Sequence, residues 1–141
     1  MTINKSDFGL QPGEVFRAFE KLNVLVIGDV MMDRYLTGSV DRISPEAPVP
    51  VVLLKDAESR LGGAANVALN IKAMGATPYL CSIVGDDEPG KNFLDALPEQ
   101  GLNAKYVLKS KERRTTVKTR IMAGYQHILR VDTEDTNEVS E

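Results

Sequence analysis

The run Gly62-Gly63-Ala64-Ala65-Asn66-Val67-Ala68 constrains this chain more than any other stretch. Two adjacent glycines let backbone approach a ligand closely, because no β carbon stands in the way. Ala64 to Met74 then has the composition of a helix, and Gly75 sits where a C-cap belongs. The first turn of such a helix offers N–H groups and the positive end of its dipole. Asn66, close to that turn, brings both a donor and an acceptor. A polyhydroxylated or anionic ligand suits such a corner. A pyrophosphate-binding dinucleotide turn is excluded by position. The first apolar strand, Val24 to Ile27, leads into Gly28-Asp29-Val30-Met31-Met32-Asp33, not into Gly-x-Gly-x-x-Gly.

The flanking segments predict an α/β organisation. Residues 1 to 11 form a polar lead, and Pro12 to Lys21 carries Val15, Phe16 and Phe19 at helical spacing. Val24-Leu25-Val26-Ile27 is a continuous apolar run, expected as a central parallel strand buried on both faces. Asp29 and Asp33 would lie at its carboxyl end, where ligand residues of open α/β sheets gather. From Ser39 to Arg60 the βα rhythm breaks. Pro45, Pro48 and Pro50 rule out helix and central strand there, while Val49 to Leu54 can form an edge strand. A β excursion at this point has the character of a lid. Pro78 to Val84 is a further strand, Gly85-Asp86-Asp87 a turn, and Glu88 to Gln100 a helix with Pro89 in its first turn. Pro98 ends or strains that helix and Gly101 closes it. Ala104 to Lys109 is a short strand. Thr115 to Ala123 and Gln126 to Asp132 make a hairpin around Gly124-Tyr125.

Taken with Gly28-Asp29-Val30-Met31-Met32-Asp33-Arg34-Tyr35 and Arg42-Ile43-Ser44-Pro45-Glu46-Ala47-Pro48-Val49-Pro50-Val51, the glycine spacing resembles the ribokinase-like (PfkB-type) carbohydrate kinases. Within them it resembles the heptose 7-phosphate kinase branch, often the first half of a bifunctional ADP-heptose synthesis enzyme. The resemblance runs from about Phe19 to about Glu134. It implies a parallel sheet flanked by helices with a β-strand lid, present as the N-terminal half of the fold in residues 12 to 141. A full kinase of the family would run to roughly twice this length. Its ATP site and a Gly-Ala-Gly-Asp motif carrying the catalytic base would lie in the C-terminal half. Asp132 and Asp135 lack that glycine context, so no catalytic residue is expected here and the chain alone should not turn over. ATP and Mg²⁺ are the implied cofactors of the intact enzyme, and a homodimer through the lid is implied too.

The resemblance places the sugar-hydroxyl aspartate on Asp33, with Asp29 as a second candidate. Either carboxylate could instead cap a turn. No third ligand stands at metal-binding spacing. Gly62, Gly63 and Asn66 are the implied sugar contacts, although the glycines could serve the fold alone. Arg42, Lys118 and Arg120, with Gln126 and Arg130, are candidates for a phosphate that the sugar already carries. Lys118 and Arg120 are two apart on a strand and share a face, which Arg130 reaches if the hairpin forms. Guanidinium and ammonium groups pair well with phosphate oxygens. Arg60, Arg113 and Arg114 could be solvated surface charge. His127, the lone histidine, has the character of a structural residue, and Tyr35 and Tyr125 could pack on a sugar or fill space.

Composition narrows the alternatives. A formal net charge of -3 argues against a general nucleic-acid binder. Cys81 is the lone cysteine, which excludes an internal disulfide and fits a reducing compartment. No apolar run approaches a membrane span, and the polar lead has no secretory core, so a cytoplasmic protein is expected. The remaining rivals are a kinase of the same fold for another sugar or a nucleoside, a nicotinamide oxidoreductase, and a non-catalytic binding or dimerisation module.

Overall fold

A computed structural model describes residues 12 to 138. The polar lead, residues 1 to 11, lies outside them. The elements run α1 (Pro12–Phe19), β1 (Asn23–Ile27), β2 (Val30–Ile43), β3 (Pro50–Gly63), α2 (Ala64–Ala73), β4 (Thr77–Gly85), α3 (Glu88–Glu99), β5 (Val107–Ser110), β6 (Val117–Ala123) and β7 (Gln126–Thr133). They build two sheets. A parallel three-stranded sheet has the order β1-β4-β5. A mixed four-stranded sheet has the order β3-β2-β6-β7, with β2 and β6 parallel and the outer pairs antiparallel. The expected α/β class and the lid are both present.

The parallel sheet carries the core. Val26, Leu80, Val84 and Val107 project from one face and meet Ala65 and Ala68 of α2 and Phe93 and Leu97 of α3. The small alanines let α2 sit close to the strands, and Phe93 fills the space beside them. The opposite face is open. Leu25, Ile27, Tyr79 and Leu108 are all exposed, Ile27 at 73%. This corrects one expectation. Among the described residues β1 is an edge strand covered on one face, because its sole strand neighbour is β4.

The helix ends follow local chemistry. Asp87 caps α3 by accepting from the Gly90 N–H at 2.8 Å, with Pro89 in the first turn. Pro98 does not end α3. It sits in the last turn, and Gly101 closes the helix at φ +66°. Gly75 takes φ +98° just after α2 and donates to the Lys72 carbonyl. Lys72 Nζ in turn donates to the Gln100 carbonyl at 2.7 Å, tying the two helix ends together.

The lid starts earlier than the sequence suggested. Only Gly28 and Asp29 separate β1 from β2, so the chain passes almost directly from the core sheet into the lid. Asp33 therefore stands inside β2, not at the end of β1. The β6–β7 hairpin forms as expected, with Gly124 at φ +57° in its turn. Among the described residues, no helix is long and apolar enough to cross a membrane.

Candidate sugar-binding site

Register decides which side chains meet. Residues directly opposite on neighbouring strands point to the same face of a sheet. Asp33 of β2 stands between Arg60 of β3 and Lys118 of β6. Two residues along, Tyr35 stands between Glu58 and Arg120. Across the hairpin, Lys118 faces Asp132 and Arg120 faces Arg130. One face of the lid thus gathers Asp33, Tyr35, Arg60, Lys118, Arg120 and Arg130, drawn from four strands.

The cations on this face are matched by carboxylates. Arg120 Nη1 donates to Asp33 Oδ1 at 2.5 Å. Lys118 Nζ bridges Asp132 at 3.1 Å and Glu134 at 3.0 Å. Arg130 Nε reaches Asp132 Oδ1 at 2.9 Å, and Arg60 holds Glu58 through two nitrogens at 2.7 and 2.8 Å. Arg120 and Arg130, like charges directly opposite, are each neutralised by their own aspartate. The guanidiniums of Arg60 and Arg120 also lie 5.1 and 5.2 Å from the Tyr35 ring centre. These partners shift ionisation in the expected senses. The Glu134 and Asp132 hydrogen bonds hold the Lys118 ammonium above its ordinary value. Asp33 does the same for the Arg120 guanidinium. Burial alone would raise Asp132, but Lys118 and Arg130 outweigh it and hold that carboxyl low.

The glycine pair closes the other side of the Asp33 carboxylate. At Gly62 a β carbon would overlap Asp33 Oδ2 and Met31 Cγ, so glycine lets the Asp33 carboxylate keep this position. Gly63 adopts φ +60°, and a β carbon there would strike the Asp29 carbonyl. That carbonyl accepts the Ala64 N–H at 2.8 Å. This corrects the expectation of an open α2 terminus: its first N–H is taken by the chain itself. Asn66, exposed on the next part of α2, lines a cavity of about 560 Å³ together with Asp33, Tyr35, Arg60 and Leu61. Asp29 lines a neighbouring cavity of about 380 Å³ with Lys118, Arg113 and Glu134.

Two expected phosphate contacts lie apart from this cluster. Arg42 is nine residues beyond Asp33 on β2, roughly 30 Å away at ordinary strand rise, and is exposed. Gln126 stands at the hairpin tip opposite Ala123, about 16 Å along the strand from Lys118. Within one chain neither joins Lys118 and Arg120, because the lid strands are long enough to carry their ends away. Arg130 does reach the shared face, where Asp132 engages it. Tyr125 is fully exposed at the hairpin tip and packs on nothing, and His127 is exposed beside it.

Sequence reading missed a polar knot at the root of the lid. Thr115, 2% exposed, donates its hydroxyl to Asp87 Oδ1 at 2.6 Å and its N–H to Asp87 Oδ2 at 2.8 Å. The same hydroxyl accepts the Gly85 N–H at 2.9 Å. Burial by itself would raise the Asp87 carboxyl. The Thr115 and Gly90 donors outweigh it and hold the group below its ordinary value. Asp87 as a helix cap is legible from Asp87-Glu88-Pro89-Gly90. Its partner 28 residues later is not. Lys118's two carboxylates, Asp132 and Glu134, were missed for the same reason.

Among the described residues, no group of three or more His, Cys, Asp or Glu side chains is placed to hold a metal ion. The sequence contains no Gly-Ala-Gly-Asp. ATP and Mg²⁺ are accordingly assigned to no residue of this chain.

Comparison with known proteins bears on the family and the fold. The family described as pfkB family carbohydrate kinase matches residues 21–141. The bifunctional protein HldE of Campylobacter fetus is 47% identical over 118 residues, covering 84% of this chain and 26% of the relative. HldE of Helicobacter pylori strain J99 is 51% identical over 111 residues, covering 79% and 24%. This chain spans about a quarter of the length of these relatives. Among solved structures, a carbohydrate kinase from Agrobacterium tumefaciens superimposes with a TM-score of 0.63 at 20% identity, covering 79% of this chain and 35% of that one. Ribokinase of Arabidopsis thaliana, solved with ribose and ATP, gives 0.61 at 19% identity over 79% and 35%. At that identity these structures establish the ribokinase-like fold.

Proposed function

The chain belongs to the pfkB family of carbohydrate kinases, and from that premise we propose that these residues form the acceptor-sugar side of a heptose 7-phosphate kinase. The intact enzyme would transfer the terminal phosphoryl group of ATP, accompanied by Mg²⁺, to the anomeric hydroxyl of D-glycero-D-manno-heptose 7-phosphate. The product would be the 1,7-bisphosphate, a step toward ADP-heptose and lipopolysaccharide core. Asp33 and Asn66 would grip sugar hydroxyls, since an ionised carboxylate accepts them well and the amide both donates and accepts. The Gly62-Gly63 backbone would bound the acceptor site beside Asp33, and Asp29 would stand in the adjoining cavity with Lys118. Lys118 would hold the phosphate that the sugar brings with it.

One observation carries this reading: Asp33 and Lys118 are cross-strand neighbours on one face of the lid. A hydroxyl acceptor and a phosphate partner thus stand side by side, with Asn66 on the wall of the Asp33 cavity. A neutral sugar needs no such lysine. Calorimetric titration tests the proposal. Heptose 7-phosphate is expected to bind, with fructose 6-phosphate and adenosine far weaker. Asp33→Ala should weaken heptose 7-phosphate roughly ten- to a hundredfold, the worth of a hydrogen bond to a charged group. Equal binding of all three compounds, or none by heptose 7-phosphate, overturns it. These 141 residues incubated with ATP, Mg²⁺ and heptose 7-phosphate should yield no bisphosphate.

The lid also exposes Ile43, Val49, Leu53 and Leu54 near its far end. Apolar side chains exposed on both faces of the lid's far end support a second copy of the chain as its partner. Leu53→Asp is expected to shift a sedimenting dimer to monomer. Unchanged sedimentation of a dimer, or a monomeric parent, removes this part of the proposal.

A further inference from the structure

We propose that Arg120 is a positioning residue for Asp33, not a ligand for the phosphate; this deepens the sugar-kinase reading and rests on it. Four observations converge. Arg120 Nη1 holds Asp33 Oδ1 at 2.5 Å, and the same nitrogen lies 3.5 Å from the Lys118 carbonyl. The guanidinium also lies 5.2 Å from the Tyr35 ring centre, so side chain and ring brace one another. Both members of the ion pair are about one-fifth exposed. On the other side of the carboxylate, Gly62 crowds Oδ2 so closely that no β carbon fits.

The consequence is an oriented acceptor. Arg120 occupies one oxygen and fixes the rotation of the carboxylate. Oδ2 is left beside the Gly62 backbone, with no hydrogen-bond partner among the described residues. A sugar hydroxyl donating to Oδ2 would meet a carboxylate already held in place, and little rotamer freedom would be lost on binding. Lys118 differs in placement. Its ammonium also holds carboxylates, Asp132 and Glu134, but it lines the cavity that contains Asp29 and Arg113, and releasing either partner would not free Asp33; Arg120 lines neither cavity. A guanidinium already engaged with Asp33 would have to abandon that aspartate to serve a phosphate. Doing so would free the carboxylate that the sugar needs held.

A double-mutant cycle on the whole chain decides the point, with heptose 7-phosphate titrated against the parent, Asp33→Asn, Arg120→Ala and the double variant. If Arg120 acts through Asp33, Arg120→Ala weakens binding about tenfold in the parent background and has no further effect once Asp33→Asn is present. Unphosphorylated heptose serves as a second probe. Arg120→Ala should weaken both compounds by the same factor, whereas Lys118→Ala should weaken only the phosphorylated one. Additive losses in the cycle, or selective loss of the phosphorylated sugar with Arg120→Ala, overturn the inference and leave the kinase reading standing. A parent chain that binds neither compound overturns both. Should Arg120→Ala fail to fold, Arg120→Gln keeps most of the side-chain volume while removing the charge, and the same cycle is read with it.

Discussion

The two sheets of this molecule are held together by different forces. In the parallel sheet, Leu80, Val84, Phe93 and Leu97 are at most 1% exposed, and apolar packing specifies the arrangement. In the lid, β7 is exposed at nearly every position and β3 along most of its length. Backbone ladders and ion pairs take over there: Arg120 with Asp33 and Lys118 with Asp132 across strands, Lys118 with Glu134 just past β7, and Arg60 with Glu58 along β3. A packed core resists deformation, because any shift opens voids. A polar sheet resists less, since water can replace each exposed pair at small cost. The rigid half therefore fixes where α2 and Gly62-Gly63 stand, while the lid half offers charges to a ligand.

The sharpest way to break this contrast is Phe93→Ala. Removing the fully buried ring should cost about 3–5 kcal/mol in denaturant unfolding. A loss below about 1 kcal/mol would mean that the core does not dominate stability. Next comes the polar knot joining the halves. Thr115→Val removes the hydroxyl donor to Asp87 Oδ1 and leaves the Gly85 N–H unsatisfied, and should cost about 1–3 kcal/mol, with Thr115→Ser recovering most of it. Hydrogen exchange should quicken more at β6 than at β1 in the valine variant.

Acid should act through the same knot. The Asp87 carboxyl is held below its ordinary value in the folded chain, so its contribution is complete above the unfolded pKa of about 4. It is lost as pH falls through the lower folded value. Thermal midpoints of the parent should fall with acid below about pH 4, and those of Asp87→Asn should fall less. Parallel curves would remove Asp87 from the account. The smallest effect is expected from salt and from the lid pairs. Raising ionic strength should shift the midpoint of the parent slightly, and Arg60→Ala should barely move it, because that pair is exposed.

Local signals were legible where they are carried by a few adjacent residues. Asp87-Glu88-Pro89-Gly90 starts a helix, Gly75 and Gly101 close two, and Gly124-Tyr125 turns a hairpin. The lid's start was not, because Asp33 and Arg34 interrupt the apolar pattern and masked a strand that begins at Val30. The open face of β1 also ran against its composition. Leu25 and Ile27 have the character of buried residues, yet burial depends on what covers them and not on the strand.

For the candidate site, sequence alone determined the chemistry on offer. It supplied a carboxylate at Asp33, a close backbone approach at Gly62, an amide at Asn66, and cations alternating onto one side of β6. Spacing along a strand settles which residues share a face, since side chains alternate with a period of two. Tertiary structure decided the partners. Asp33 and Arg120 are 87 residues apart and Asp87 and Thr115 are 28 apart, and each pair meets only because particular strands and loops lie side by side. Alternation along one strand carries no information about which strand becomes its neighbour. The same tertiary fact separates Arg42 from Lys118, two cations of equal promise in the sequence, by carrying one to the far end of the lid.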